Sequence, residues 1–354
     1  MTRPFPLPSD LPKADPLRDW RRSFVARAVG IETSQSVTAA VRSLWPTDEA
    51  TQERIIRGVT APASLTGWGS QLVGGAGAVF VRSLQATSAA ANLFGAAGLA
   101  PMTGAATVSL PLLSSNIGVP TFVGEGDPIP VMQGSFGTVT LGTPKKLAMI
   151  TALTGELRDR SADEAEAIIS FAMDDVTSKR LDQAVFSTTS ASATTPAGLL
   201  NGVTAIPATT GGGVAAMAKD LANLVGAISD AGGGADIAIY MNPRQAVTAQ
   251  ILGGAELTYP IVPAPTLAPG TIVAIERRAI ASGFPALPDV QVERDATLHF
   301  ETAPAHIATA GAIPAQARIQ SAFQSDLIAL RLILRCAWVS MLPGGVQFIT
   351  GATW

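Results

Sequence analysis

Residues 123–186 read VGEGDPIPVMQGSFGTVTLGTPKKLAMITALTGELRDRSADEAEAIISFAMDDVTSKRLDQAVF, and this stretch decides the fold. Two extended runs, Thr121–Met132 and Thr138–Thr154, begin just before this stretch and fill its first half. The runs meet around four residues, Gln133, Gly134, Ser135 and Phe136. We therefore predict a long β-hairpin with these four residues at its tip. Because an isolated two-stranded hairpin is only marginally stable in water, we expect it to lie on another surface, and a neighbouring subunit is a candidate.

The second half of the stretch predicts a long helix. Ser161-Ala162-Asp163-Glu164 is a capping-box pattern, in which the serine accepts from a backbone N–H while the glutamate reaches back. Apolar residues then recur every three to four positions as far as about Phe186, and acidic residues in the first turns suit the positive end of the helix dipole. We expect one helix of about 25 residues, the length over which this spacing persists.

Downstream, the pattern alternates between helices and strands. Three glycines, 211–213, precede a predicted helix over Val214–Ala231, and Ile237–Tyr240 reads as a buried strand. Asn242-Pro243 then opens a helix to about Leu252. Four further strands are predicted at Ile272–Ile275, Val290–Glu293, Asp326–Ser340 and Val346–Thr350. The first 60 residues carry helical spacing in two runs, Asp15–Val29 and Gln35–Trp45, and a new helix after Pro46. The predicted fold class is α+β.

The composition excludes several classes of protein. Hydrophobic residues make up 47% of the 354 residues, and a net charge of −3 is too small for a disordered chain. Charged residues are only 14%, against about 25% in typical soluble domains, so the chain has little charge to cover its surface. The acidic balance does not attract nucleic acid, and no stretch resembles a membrane span. One cysteine, Cys336, excludes an internal disulfide and multi-cysteine metal sites.

The search for reactive motifs is nearly empty. No Gly-Lys dipeptide exists, which excludes a P-loop, and Ser135 lacks the glycine two residues before it that a nucleophile elbow requires. His299 and His306 are the only imidazoles, and His299-Phe300-Glu301 has no downstream cysteine pair to complete a zinc site. We predict no catalytic residue, no metal site and no cofactor.

The hairpin and the long helix together resemble the major capsid proteins of tailed bacteriophages, the family with the Hong Kong 97-type fold. The resemblance is carried by GEGDPIP at 124–130, TPKKLA at 143–148 and the helix with an acidic start. Further matches are PAGLLN at 196–201, YMNP at 240–243 and FQSDLIALR at 323–331, and the ending ITGATW at 349–354 also fits. The pieces occur in the family's order over residues 119–354.

The resemblance implies an organisation into five segments. They are an N-terminal helical extension and arm (1–104), an extended loop (105–150), a peripheral domain with a spine helix (151–210), an axial domain (211–290) and the return of the peripheral domain with a C-terminal axial strand (291–354). We expect subunit contacts at the loop tip and at a peripheral-domain loop. The residues are Gln133, Gly134, Ser135 and Phe136 at the tip, and Phe323, Gln324, Ser325 and Asp326 in the peripheral loop.

The implied function is structural: self-assembly through pentamers and hexamers into an icosahedral virion shell that encloses double-stranded DNA without sequence-specific binding. Assembly would occur in the bacterial host cytoplasm, away from membranes. Portal, scaffold or maturation protease are implied partners, and a decoration protein is a further one.

Some family members crosslink their shells through a loop lysine and a strand glutamate. Here Val123–Phe136 contains no lysine and Leu330–Ser340 no acid, so we expect non-covalent contacts. We also expect the first 60 residues to be retained as an arm that reaches neighbouring subunits.

Two other functions remain open from the sequence. An encapsulin-like compartment would keep the fold and enclose a cargo protein in place of DNA. A soluble hydrolase would require a pocket that joins His299 or His306 to a serine and a carboxylate, and no motif supports one.

Overall fold

The structure is a computed structural model, and it describes part of the 354 residues. The described residues are 21–23, 25–27, 29–30, 35–49, 52, 55, 78, 80–100, 102, 107–113, 122–123, 136–154, 162–254, 258–285, 288–293, 295–299, 319–322 and 327–354.

Helices and strands alternate along the described residues. The helices are α1 (Val37–Leu44), α2 (Ala89–Ala96), α3 (Ala162–Val185), α4 (Gly213–Asp230) and α5 (Pro243–Gly253). The strands are β1 (Gly98–Leu99), β2 (Val108–Leu113), β3 (Phe136–Leu141), β4 (Lys145–Thr154), β5 (Ile206–Pro207), β6 (Ile237–Met241), β7 (Ile261–Pro263), β8 (Ile272–Glu276), β9 (Ile280–Gly283), β10 (Asp289–Glu293), β11 (Thr297–His299), β12 (Ile319–Ser321), β13 (Leu327–Ser340) and β14 (Val346–Thr350). The α+β class predicted from the sequence is confirmed.

The chain divides into two compact units. One unit contains Met1–Gly69, Ala148–Met173 and Pro288–Leu334, and the other contains Ser70–Leu147, Asp174–Leu287 and Arg335–Trp354. Each unit is therefore assembled from segments that are distant in the sequence, and we refer to them as the first and second unit.

A five-stranded sheet in the order β5-β14-β8-β6-β7 forms the centre of the second unit. β8 lies between β6 and β14 and is antiparallel to both, while β5 and β7 are parallel edge strands of two and three residues. Every residue of β6 and β8 is buried, which explains their continuous apolar sequences. The sheet is thus covered on both faces.

Two helices pack on one face of this sheet. α4 contributes Met217, Leu224 and Ile228 to a core that also contains Ile239 of β6 and Ala249 of α5. α4 begins at the last of three consecutive glycines with positive φ, a conformation that residues with a Cβ rarely adopt. On the other face, the ring of Tyr240 lies 5.2 Å from that of Phe186, which follows α3.

The second unit also contains a small mixed sheet. β9 pairs in parallel with β1 and antiparallel with the last part of β13, where Ser282 lies opposite Trp338. The Trp338 ring packs against Phe94 of α2, whose other neighbour is Phe284. This aromatic cluster holds α2 on the sheet.

The first unit contains two antiparallel ladders. β10 pairs with the first part of β13, from Asp289 opposite Ile333, and β11 pairs with β12. Near the N-terminus, the Arg22 guanidinium lies 4.9 Å from the Trp45 ring centroid and 2.8 Å from the Asp48 carboxylate. Ser36 caps α1 by accepting from the backbone N–H of Ala39.

The structure confirms the predicted elements that fall on its described residues and adds a strand, β2, that was not predicted. The long helix spans 24 residues, as α3, and the strands predicted near residues 237, 272, 290, 326 and 346 are all present. The predicted pairing of Thr121–Met132 with the following run falls almost entirely on residues outside the described part of the chain and stays a prediction. β3 pairs with β2, and the two residues of the predicted run that the structure describes, Phe122 and Val123, lie in no strand. β2 reads VSLPLL, whose alternation is interrupted by Pro111, a residue tolerated here because a two-stranded ribbon has only edge strands.

Candidate assembly surfaces

The β2–β3 ribbon lies within residues 105–150, the predicted extended loop. Its register runs from Val108 opposite Leu141 to Leu113 opposite Phe136. Residues 114–135 therefore form the connection between two strands whose ends are held side by side. No third strand joins this ribbon among the residues that the structure describes. The extended loop predicted from the sequence thus has a defined stem.

Apolar contacts anchor the stem within the second unit. Leu141 is fully buried and packs with Met102 and Ala337, and Val108 and Leu110 lie against the same cluster. The intervening residues of β3 alternate between half-buried and exposed. One face of the ribbon is consequently fixed at its base, and its other face is open to solvent or to a neighbouring molecule.

The structure locates few of the predicted contact residues. Phe136 is the first residue of β3 and closes the stem opposite Leu113. The other predicted contact residues lie outside the described part of the chain: Gln133, Gly134, Ser135, Phe323, Gln324, Ser325 and Asp326. The two predicted contact segments therefore stay predictions. Of the two imidazoles, His299 is the last residue of β11, opposite Ile319, and His306 also lies outside the described residues.

A buried carboxylate joins α2 to α3. Asp182 accepts from the Ser88 hydroxyl at 2.6 Å and from the backbone N–H groups of Ala90 at 2.8 Å and Ala89 at 3.2 Å. These N–H groups belong to the first turn of α2, which has no intrahelical acceptor for them. Burial raises the pKa of Asp182 above its ordinary value, and the three hydrogen bonds oppose that shift. The carboxylate therefore acts as a cap for a second helix.

A second buried carboxylate holds the last residue of the chain. Asp220 of α4 is fully buried and accepts from the indole N–H of Trp354 at 2.8 Å and from the backbone N–H of Thr209 at 2.8 Å. Its two oxygens thus each have one donor. Asp220 links α4 to the segment before it and to the residues that follow β14.

A third carboxylate organises the turn before β6. Glu276, at the end of β8, accepts from the backbone N–H of Gly234 at 2.7 Å and of Asp236 at 3.0 Å. Asp236 in turn pairs with Arg277. Gly234 has φ +125, a value that favours glycine, so the turn and its carboxylate partner are matched.

These three carboxylates hold backbone in place. Burial raises the pKa of the Cys336 thiol to about 12, so it is protonated at neutral pH and is a poor nucleophile. Burial also raises the pKa of the Tyr240 hydroxyl. Within the described ranges, no group of three metal-ligating side chains is present. No helix in the part of the chain that the structure covers is long and apolar enough to cross a membrane.

Several large apolar side chains are exposed. Among the described residues, they are Leu99, Phe122, Val123, Ile150, Val176, Val214, Val247, Ile251 and Tyr259. Phe122 and Val123 belong to the extended loop, and four others lie within residues 211–290, the predicted axial domain. The sequence analysis singled out none of these four.

The sequence analysis also missed Asp182 and Asp220. In both cases the signal was present, because each acid lies three or four helix positions from a buried apolar residue, Val185 for Asp182 and Leu224 for Asp220. An acid within the apolar stripe of a helix indicates a carboxylate that receives buried donors. Together, the stem, the buried carboxylates and the exposed apolar side chains define a structural building block with surfaces open to partners.

Comparison with known proteins agrees with this class. A sequence model of the phage capsid family matches residues 84–251. A solved chain from Microbacterium phage Oxtober96 is 18% identical with a TM-score of 0.52, covering 74% of this chain and 90% of that one. A chain from Mycobacterium phage Adephagia is also 18% identical with a TM-score of 0.52, covering 85% of this chain and 98% of that one. No curated protein sequence matches the chain.

The match to the phage capsid family covers just under half of the chain. The matched residues 84–251 run from the segment before α2, through the extended loop and α3, to α5. The predicted Hong Kong 97-type fold is confirmed by the solved chains.

Proposed function

We propose that this chain assembles through pentamers and hexamers into the icosahedral head of a tailed phage or prophage. The head encloses double-stranded DNA, and the chain has no catalytic activity of its own. Portal, scaffold or maturation protease act as partners, a decoration protein is a further one, and assembly takes place in the host cytoplasm. Residues 151–210 form the peripheral domain and 211–290 the axial domain, and 291–354 return to the peripheral domain and end in an axial strand.

The observation that carries the proposal is the two-stranded β2–β3 stem. A ribbon of two six-residue strands is marginal by itself, yet here it carries the whole connection 114–135. Its base is fixed by Leu141, and Phe122 beyond it is fully exposed. A neighbouring subunit under the loop would supply the missing packing surface.

The charge of the chain supports DNA as enclosed content without tight binding. A strongly basic inner wall would bind DNA in a salt-dependent manner. With a net charge of −3 and 14% charged residues, this chain lacks that wall on average. The DNA is therefore confined by the closed shell and not by specific contacts.

Electron microscopy of the full chain, expressed alone and purified at moderate salt, tests the proposal. We expect closed shells or rings of five and six subunits, and shells from infected or induced cells are expected to absorb as nucleic acid. Particles that contain only protein cargo would favour an encapsulin-like compartment. A chain that remains monomeric together with its neighbouring genes' products would contradict the proposal.

A further inference from the structure

Helix α5 presents two large apolar residues to solvent, while a third, Leu252, packs against the core. Its buried side is formed by Gln245, Ala246 and Ala249. Its solvent side carries Val247, which is 56% exposed, and Ile251, which is 76% exposed. A surface helix normally buries its largest apolar residues and presents charged or polar ones to water.

Val247 and Ile251 form one continuous exposed surface. They are four positions apart, and residues at i and i+4 are neighbours on a helix. Arg244 is also exposed. It lies three positions before Val247 and seven before Ile251, so it is on the same side of the helix. We call these three residues the α5 stripe. Valine and isoleucine are poorer helix formers than glutamine or lysine, so the isolated subunit gains nothing from them at these positions.

The edges of the neighbouring sheet do not offer an alternative means of joining copies. The edge strands β5 and β7 have two and three residues, and each ends in a proline, Pro207 and Pro263. Short edge strands that contain proline oppose the addition of a strand from another chain. Contacts between copies in this part of the molecule therefore fall to the helical layer.

We infer that the α5 stripe binds a second copy of this chain during assembly. This inference rests on the proposed function, which requires extensive contact between copies. The two side chains offer on the order of 100 Å² of exposed apolar area. A stable pairwise interface needs about 800 Å² per partner. The contact is consequently too small to hold two copies together alone, and it acts only where each subunit meets several neighbours at once.

The test is a double variant of the full chain, Val247→Gln with Ile251→Gln. Glutamine is the better helix former, so the subunit is expected to keep its circular dichroism and its urea midpoint. Mass photometry and sedimentation velocity over a range of concentrations give the concentration of half-assembly. We expect the double variant to require at least a tenfold higher concentration than the wild-type chain.

Val176→Gln is the matched control. Val176 is also an exposed helical valine, 46% exposed on α3, and it receives the same substitution. It is expected to assemble like the wild type. An equal loss in Val176→Gln, or wild-type assembly by the double variant, would overturn the role of the α5 stripe while leaving the proposed function intact. A wild-type chain that never assembles would instead contradict the proposed function itself.

Discussion

The bond between Asp220 and Trp354 gives a quantitative test of the second unit. We consider Trp354→Phe, which keeps an aromatic ring but removes the indole N–H that donates to the carboxylate at 2.8 Å. Trp338→Phe is a matched change, because the Trp338 indole donates to the backbone carbonyl of Ala197 at the same distance. Both rings are buried. The two variants therefore differ mainly in the acceptor that loses its donor, which is a carboxylate in Trp354→Phe and a neutral carbonyl in Trp338→Phe.

The expected magnitudes follow from the two acceptors. A hydrogen bond to a charged group contributes about 1.5–3 kcal/mol, and one between neutral groups about 0.5–1.5 kcal/mol. Each variant also loses buried ring area that contributes about 1 kcal/mol. Trp354→Phe should lower the free energy of unfolding by about 3 kcal/mol and Trp338→Phe by about 2 kcal/mol.

Asp220→Asn completes a double-mutant cycle with Trp354→Phe. An asparagine has one acceptor oxygen, so it can satisfy Thr209 or Trp354 but not both, and its NH₂ group then faces the other donor. Once the indole N–H is removed, that conflict disappears. The coupling free energy should be about 1.5 kcal/mol, measured by urea unfolding of the unassembled chain followed by circular dichroism. Additivity within 0.5 kcal/mol would refute the bond as the structure places it.

Three further predictions concern single residues of the second unit. Asp182→Asn should flatten the pH dependence of the free energy of unfolding. Because burial raises the pKa of Asp182, the contribution of this group to stability is largest below pH 3.8 and is lost as the pH rises through the folded-state pKa. Urea midpoints from acidic to neutral pH measure this. Gly226 lies in the interior of α4 with open space around a Cβ, so Gly226→Ala should stabilise the chain by up to about 1 kcal/mol. A Cβ at Gly198 would instead lie 2.0 Å from the backbone oxygen of Ser187. Gly198→Ala should therefore lower the melting temperature strongly. Asn242→Ala removes the cap of α5 and should cost about 1 kcal/mol in urea unfolding.

Each of these three has a contrary outcome. A pH profile of Asp182→Asn that parallels the wild type would contradict the burial of that carboxyl group. Equal melting temperatures for the two glycine variants would mean that the chain does not pass Gly198 as closely as described. If Asn242→Ala keeps the wild-type free energy of unfolding, the Asn242 cap is not the reason that α5 begins at Pro243.

Much of the secondary structure could be predicted because its signals are local. The spacing of apolar residues and the flanking glycines predicted α3 and α4 to within one or two residues. The pairing of β3 could not be predicted in this way. Its partner, Val108–Leu113, lies beyond a long connection and includes Pro111, so no local pattern distinguishes it from the run at Thr121–Met132. Strand pairing depends on contacts between distant residues, which periodicity does not report.

The sequence by itself determined the class of the molecule: a folded α+β chain with little charge, no reactive motif and an ordered series of segments that resemble a capsid subunit. Only the tertiary structure decided which side chains are inside. It placed Asp182 and Asp220 in buried positions where they cap backbone, and it turned Val247 and Ile251 outward on α5. The physical reason is that a residue's burial is set by what packs against its element, and that neighbour is usually far away in the sequence.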